Sequence, residues 1–435
     1  MEFEITTNHV PQNLKIQESM GIPVVCFVNP LKRKTVRRVK KDIDRCDRCF
    51  AYPSKYSKLA YPDSWYCSLC ERKNTSPNSW VKRNGKLEFE TNVYEIDDKI
   101  ECPRKRVVLA LVDEDTNESL MDDIKSTLIR TISKLQISDC HENSHFVLCS
   151  FSASGTLRLY DMTCQHTRTI PLEEVNLLKN AFKSRDCFYA RRSEDSERLI
   201  RMLRTSNVFS HDNVKRPVLL ALRRCLEVLF LDDHNEFCDK IHQFDKRVMC
   251  FLGGEMKCDE RNGKMLNDLV KDRSDISVDV IALHDTYVKT TARRFVAPSL
   301  VSACRQSGGE FRVYDREDIV SSRFDSELCR ILTSPVFSNC MIRLRASPDV
   351  LSVGRCFGLV RDPTKNREGI WRATRCTRDT SFAFELELVD RDTNKWWDLW
   401  SSEPPTFVTL QCAFMYEYVD DRSVFRRVRL SVVFV

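Results

Sequence analysis

The chain has 435 residues, 42% of them hydrophobic, enough to bury two to three domain-sized cores, and no apolar run approaches the ~18 residues of a membrane span. Its formal charge of +6 is uneven: residues 1–106 hold 21 Lys and Arg against 14 Asp and Glu, so the positive excess sits in the N-terminal quarter. The 20 cysteines lie scattered through apolar runs and the N-terminus carries no basic-then-apolar leader, which excludes a small secreted disulfide scaffold and points to the cytosol or nucleus.

In chain order, the first distinctive segment is Lys32 to Lys41 (KRKTVRRVKK), seven basic residues in ten. Such a run suits an anionic membrane surface, a polyanion, a nuclear signal or a solvated loop, and charge alone does not separate them. It has no aromatic residue on which a base could stack, which argues against single-stranded nucleic acid.

Directly after it, Cys46, Cys49, Cys67 and Cys70 form two C-x2-C pairs separated by 17 residues. Two tight thiolate pairs closing one tetrahedral shell describe a structural zinc ribbon holding one ion. A catalytic zinc would keep a position open for water, and no His stands between the pairs to make a mixed shell. The competing readings are two disulfides or four unrelated core cysteines.

From Val107 the pattern changes. Val107 to Val112 is a continuous apolar run, as in strands buried on both faces, and Met121, Ile124, Leu128, Ile132 and Leu135 follow at helical spacing. His145 to Phe151 and Gly155 to Tyr160 read as strands. Val218, Leu222, Cys225, Leu226 and Leu229 read as a helix with Pro217 in its first turn. Arg247 to Leu252, ended by Gly253-Gly254, and Val278 to Leu283 are further buried strands. The alternation predicts an α/β domain with a largely parallel sheet.

Beyond about Ser338 the period becomes two. Phe382, Phe384, Leu386 and Leu388 alternate with Ala383, Glu385 and Glu387, and Val408, Leu410, Cys412, Phe414 and Tyr416 repeat the pattern. After a turn at Asp420-Asp421, Val428, Leu430, Val432 and Phe434 oppose Arg427, Arg429 and Ser431. This predicts an antiparallel sandwich with an apolar and a polar face on each strand. The predicted fold is therefore multidomain α/β plus all-β.

Catalytic signals are sparse: neither a G-x-S-x-G nor a P-loop pattern occurs, and the eight His are scattered. Asp113-x-Asp115-x-Asn117 offers oxygen ligands at the carboxyl end of the first sheet strand. An EF-hand would need Gly and Glu where Glu118 and Ile124 stand, and a metal-dependent adhesion site would need Ser at both 115 and 117. The segment is read as a capped helix start, and the chain as a non-enzyme.

Several strings, taken with the order of the modules, resemble the inner-coat subunits of COPII vesicles, most closely the GTPase-activating subunit. They are Pro23 to Lys32 (PVVCFVNPLK), Trp65 to Asn74 around Cys67 and Cys70, Phe251-Leu252-Gly253-Gly254, Val278 to Leu283, Ser307-Gly308-Gly309, Phe407-Val408-Thr409 and Phe425 to Leu430. The resemblance implies an N-terminal segment, 1–40, that adds to the sandwich; a zinc ribbon, 41–100; a von Willebrand A-like trunk, 106–333; and a β-sandwich, 338–435. It further implies a Sar-type small GTPase and a cargo-binding sister subunit, in a heterodimer, as partners. The setting is cytoplasmic and peripheral to the endoplasmic reticulum membrane, with Lys32 to Lys41 on an anionic lipid face. Members of the family continue into a helical domain and a gelsolin-like domain, the latter carrying a GTPase-activating arginine. A truncated relative is therefore expected to bind as an adaptor without activating hydrolysis, with Arg293 or Arg294 as the residual candidates for such an arginine. The alternative is a coat fold repurposed for another protein complex or nucleic acid. Tyr52-Pro53 follows Cys49 at a shorter interval than the family's Asn-Pro, which makes the contacts of that loop a specific question.

Overall fold

A computed structural model describes residues 2–6, 10–11, 14–32, 36–39, 43–60, 64–75, 93–100, 105–116, 118–137, 144–160, 167–183, 197, 200–201, 215–230, 244–254, 256, 259–271, 273, 276–283, 298–333, 336–348, 350–360, 369–389, 408–420 and 423–434. The chain divides into two compact units, one made of 1–100, 339–418 and 425–435, the other of 101–338 with 419–424.

The first unit opens with β1 (Glu2–Ile5), α1 (Leu14–Ser19), β2 (Val25–Asn29) and β3 (Arg37–Val39). The three short strands β4 (Lys58–Ala60), β5 (Ser64–Tyr66) and β6 (Lys73–Thr75) follow, then β7 (Val93–Ile100).

The second unit is built on a seven-stranded sheet. Its strands are β8 (Lys105–Asp113), β9 (Ser144–Phe151), β10 (Thr156–Tyr160), β11 (Thr167–Pro171), β12 (Phe244–Leu252), β13 (Ile276–Leu283) and β14 (Phe311–Tyr314), in the order β11-β10-β9-β8-β12-β13-β14. β9, β8, β12, β13 and β14 run parallel, and β10 is reversed, pairing antiparallel with both β9 and β11. The continuous apolar runs arise because both sheet faces are covered. Leu109, Leu111, Val248 and Val280 pack with α3 (Val175–Lys183), α4 (Val218–Phe230), α5 (Glu260–Lys271) and α6 (Pro298–Gln306). Ala110, Val112, Met249 and Ile281 pack with α2 (Glu118–Ile137) and α8 (Arg323–Thr333), with α7 (Arg316–Val320) beside them.

Leu120, Met121, Ile124 and Leu128 form the buried stripe of α2, while the side chains of Ile132 and Leu135 lie outside the described residues. α4 starts one residue later than the sequence suggests, because Pro217 sits just before it and its carbonyl accepts from the Ala221 N–H at 2.9 Å. Gly309 is fixed by close approach: a Cβ there would come 2.0 Å from the Val278 carbonyl oxygen.

The remaining strands, β15 (Phe337–Ala346), β16 (Leu351–Phe357), β17 (Trp371–Cys376), β18 (Phe382–Leu388), β19 (Thr409–Asp420) and β20 (Ser423–Phe434), return mainly to the first unit. A four-stranded sheet β1-β2-β18-β16 faces a six-stranded sheet β17-β15-β19-β20-β7-β3. Phe382 meets Phe414 at 6.2 Å and Phe384 meets Trp371 at 5.3 Å between ring centroids across the two layers. The side chain of Gln17 on α1 extends the β18 ladder, donating to the Leu386 carbonyl at 3.0 Å and accepting from the Leu388 N–H at 3.1 Å.

On β20 the polar face is buried as well as the apolar one. Arg427, Arg429 and Ser431 are buried along with Leu430 and Val432, so side chains on both faces of β20 are covered. Arg429 is accommodated there by an ion pair with Glu95, which also accepts from the Tyr416 hydroxyl at 2.5 Å. Asp421, half of the expected turn, lies outside the described residues.

Candidate metal centre

β4, β5 and β6 form a small antiparallel sheet, with one cysteine pair preceding β4 and the other lying between β5 and β6. The two pairs repeat one backbone device. The Cys46 N–H donates to the Ala51 carbonyl at 2.8 Å and the Cys67 N–H to the Arg72 carbonyl at 3.0 Å. The residue after each second cysteine turns back onto the first cysteine's carbonyl, Phe50 at 2.9 Å and Glu71 at 3.0 Å. Both turning residues have positive φ, 58° and 56°. A left-handed backbone costs a non-glycine residue of order 1 kcal/mol. Finding it at the same place in both turns means that the knuckle geometry is imposed for what the sulfurs do.

That geometry brings the four Sγ atoms within 4.8 Å of one another, with Cys46 to Cys70 and Cys49 to Cys67 both at 3.5 Å. A tetrahedral S4 shell with metal–sulfur bonds of about 2.3 Å has sulfur–sulfur edges of roughly 3.8 Å, so the donor set fits a tetrahedral metal. Four thiols so close cannot all ionise without a cation between them. The thiols of Cys49 and Cys67 stabilise a thiolate at Cys70 and lower its pKa, while Cys49 itself is pushed up by its contact with Cys67. The Leu69 N–H already points at the Cys67 sulfur, at 3.4 Å. Among the described residues this is the one group of His, Cys, Asp and Glu side chains arranged to hold a metal.

The ribbon core contains the fully buried Trp65 with Tyr52, Leu69, Tyr94 and Leu430. Tyr52-Pro53, whose spacing raised the question above, is held from the sandwich. Gln411 on β19 accepts from the Tyr52 N–H at 2.9 Å and donates to the Tyr52 carbonyl at 2.8 Å, and the Tyr94 hydroxyl donates to the Pro53 carbonyl at 2.7 Å. Asn74 completes the knuckles, accepting from the Asp47 N–H at 3.0 Å and donating to the Arg72 carbonyl at 2.8 Å. Arg345 on β15 is only 9% exposed, and its Nε and Nη1 have no hydrogen-bond partner among the described residues. Burial, and then Arg343, lower its pKa to about 10, while Tyr52 and Cys49 favour its charged form. Sequence alone gave no signal for Gln411 or Arg345, which stand among apolar residues like any strand polar.

Of the other sequence candidates, Lys32 pairs with Glu2 at 2.5 Å, and Arg37 and Arg38 are exposed on β3. Arg33, Lys34, Lys40 and Lys41 lie outside the described residues, as do Asn117, Arg293 and Arg294. Asp113 and Asp115 are buried together at the carboxyl end of β8.

A four-cysteine cluster on a small antiparallel sheet, an α/β unit and a sandwich built from both ends of the chain are the parts by which the chain compares with known proteins. No protein-family model matches the sequence. It is 22% identical to protein transport protein SEC23 D of Arabidopsis thaliana over 480 aligned residues, covering 96% of this chain and 61% of that protein. The human COPII-coat protein Sec24c superposes with a TM-score of 0.69 at 16% identity, covering 100% of this chain and 61% of that one. A looser likeness, with TM-score 0.44 and 7% identity over 78% of this chain and 73% of the other, is to a von Willebrand factor type A protein from Catenulispora acidiphila. The chain is thus similar, in fold throughout and weakly in sequence, to proteins of the Sec23 and Sec24 kind, and spans 61% of the length of each of the two.

Proposed function

We propose that the protein is a COPII-coat-like structural adaptor that binds a Sar-type small GTPase, a sister inner-coat subunit, or both, at the endoplasmic reticulum membrane in transport toward the Golgi. The observation that carries this reading is the match of the entire chain to one coat-protein fold, with a second coat-type protein matching 96% of the sequence. The proposed role is binding, not catalysis: the metal-competent cluster of the described residues is a closed four-sulfur shell with no position for a reacting water.

Cys46, Cys49, Cys67 and Cys70 are the proposed ligands of one structural zinc. Zinc suits the set because it takes thiolate readily and imposes no geometry of its own. Its chemistry there is cross-linking, and the chain's own residues shape the shell: Phe50 and Glu71 close the knuckles and Gln411 anchors the first of them. The segments 41–100, 106–333 and 338–435, with 1–40 added to the last, are proposed as its modules. Lys32 to Lys41 is proposed to touch anionic lipid.

The test combines the purified chain with a GTP-locked Sar-type GTPase, the cargo-binding sister subunit and acidic liposomes, and follows complex formation and GTP hydrolysis together. Complex formation with unchanged hydrolysis is expected. Failure to bind the GTPase, the subunit and the liposomes alike would overturn the reading in favour of a repurposed coat fold.

A further inference from the structure

The carboxyl end of β8 is where an adhesion-type A domain places a divalent cation, and here it carries Asp113 and Asp115 without the serines such a site uses. The Asp113 side chain is fully buried. Its Oδ1 accepts from the Asp115 N–H at 3.1 Å, its Oδ2 accepts from the Gly253 N–H at 3.3 Å, and Oδ2 lies 3.5 Å from Arg216 Nε. Arg216, itself 5% exposed, donates from Nη2 to the Asp115 carbonyl at 2.5 Å, and Asp115 Oδ2 accepts from the Ala153 N–H at 2.5 Å. Both carboxylates therefore spend oxygens on N–H donors and a guanidinium.

The seat of that guanidinium is shaped by the chain. A Cβ on Gly254 would come 2.6 Å from Arg216 Cζ, and one on Gly253 would come 2.2 Å from Thr116 Cγ2, so the two glycines that end β12 leave the space these side chains fill. Arg216 is held from its own backbone too, by a bridge to Met256 just ahead of α4. A divalent ion such as Mg2+ needs several oxygens at about 2.0–2.1 Å, several of them from water. The donor set does not fit one while the guanidinium is in place.

We propose that Arg216 is a tethered cation standing where an adhesion-type A domain holds its divalent metal, so that the trunk closes on its own arginine, is insensitive to Mg2+ or Mn2+, and keeps Asp113 and Asp115 as a metal site that opens only when the arginine is removed. The burial of Asp113, which raises its pKa against the opposing pull of Arg216, fits a carboxylate that depends on this one charge.

Mn2+ is the probe, because it prefers oxygen donors and leaves a thiolate ribbon to zinc. Bound Mn2+ is counted by electron paramagnetic resonance and the melting temperature of the full chain is recorded with and without it. Wild type is expected to bind no Mn2+ through Asp113 and to show no shift. Arg216→Ala is expected to melt lower, to bind about one Mn2+ and to regain several degrees with it. Gly254→Ala, which displaces the guanidinium without deleting it, provides a second comparison if Arg216→Ala does not fold. Mn2+ binding by wild type that Asp113→Asn abolishes would overturn the proposal, as would a folded Arg216→Ala that binds no more Mn2+ than wild type.

Discussion

Replacing Gln411 by Ala tests how the ribbon is held. The Gln411 side chain is fully buried and makes both of its hydrogen bonds to one residue, the N–H and carbonyl of Tyr52 at 2.9 and 2.8 Å. Truncation leaves a donor and an acceptor unsatisfied beside the first cysteine pair. Each such group costs about 1–3 kcal/mol, and partial entry of water into the vacated space brings the pair to about 2–4 kcal/mol. In a chain of two units a single global unfolding energy is poorly defined, so the readout is local. Hydrogen exchange at the Tyr52 amide is expected to accelerate about 30-fold to several hundred-fold, the equilibrium equivalent of that energy. Metal release to a chelator is expected to quicken in parallel, while exchange in β8 and β12 is unchanged. Native protection of Tyr52 in the variant would refute the reasoning, since it would mean that the sandwich does not hold the knuckle through this side chain.

Cys67→Ser is expected to lose the metal and the ribbon's near-ultraviolet signal, and zinc affinity in wild type should fall with acidification because bound thiolates must be deprotonated; metal analysis across pH checks both. Arg429→Met strands the Glu95 carboxylate among buried groups and is expected to cost about 3–5 kcal/mol, with Glu95→Gln restoring part of it in the double variant, read from local exchange in β7 and β20. For Asp113, burial, opposed by Arg216, raises the carboxyl to about 6 from its ordinary 3.8. The folded state therefore binds the proton more tightly than the unfolded one. The stability this contributes is fully present below about pH 4 and lost as pH rises through about 6, a span worth roughly 3 kcal/mol. Melting curves from pH 4 to 7 should show that loss in wild type and a flatter dependence in Asp113→Asn.

The candidate site was legible because metal chemistry is local. Two C-x2-C pairs specify a four-sulfur shell by spacing alone, and the structure brings those sulfurs within 4.8 Å. The trunk's strands were legible for a similar reason, since a strand covered on both faces, such as Val107 to Val112, must be apolar at every position. At β20 the alternation was legible but the burial of its polar face was not, since period two describes one strand and says nothing of what covers it. Arg429 looks solvated in sequence and is buried in the fold because Glu95, 334 residues away, pairs with it.

By itself, the sequence pointed to the trunk's central strands and to the clustering of the four cysteines, both of which rest on residues near one another in the chain. Tertiary structure alone decided what those elements are anchored to. Gln411 reaches Tyr52 across 359 residues, and Arg216 reaches the Asp115 backbone across 101. Such partners leave no periodic trace, because a buried polar group is chosen to satisfy whatever the fold brings beside it, and that neighbour exists only once the chain has closed.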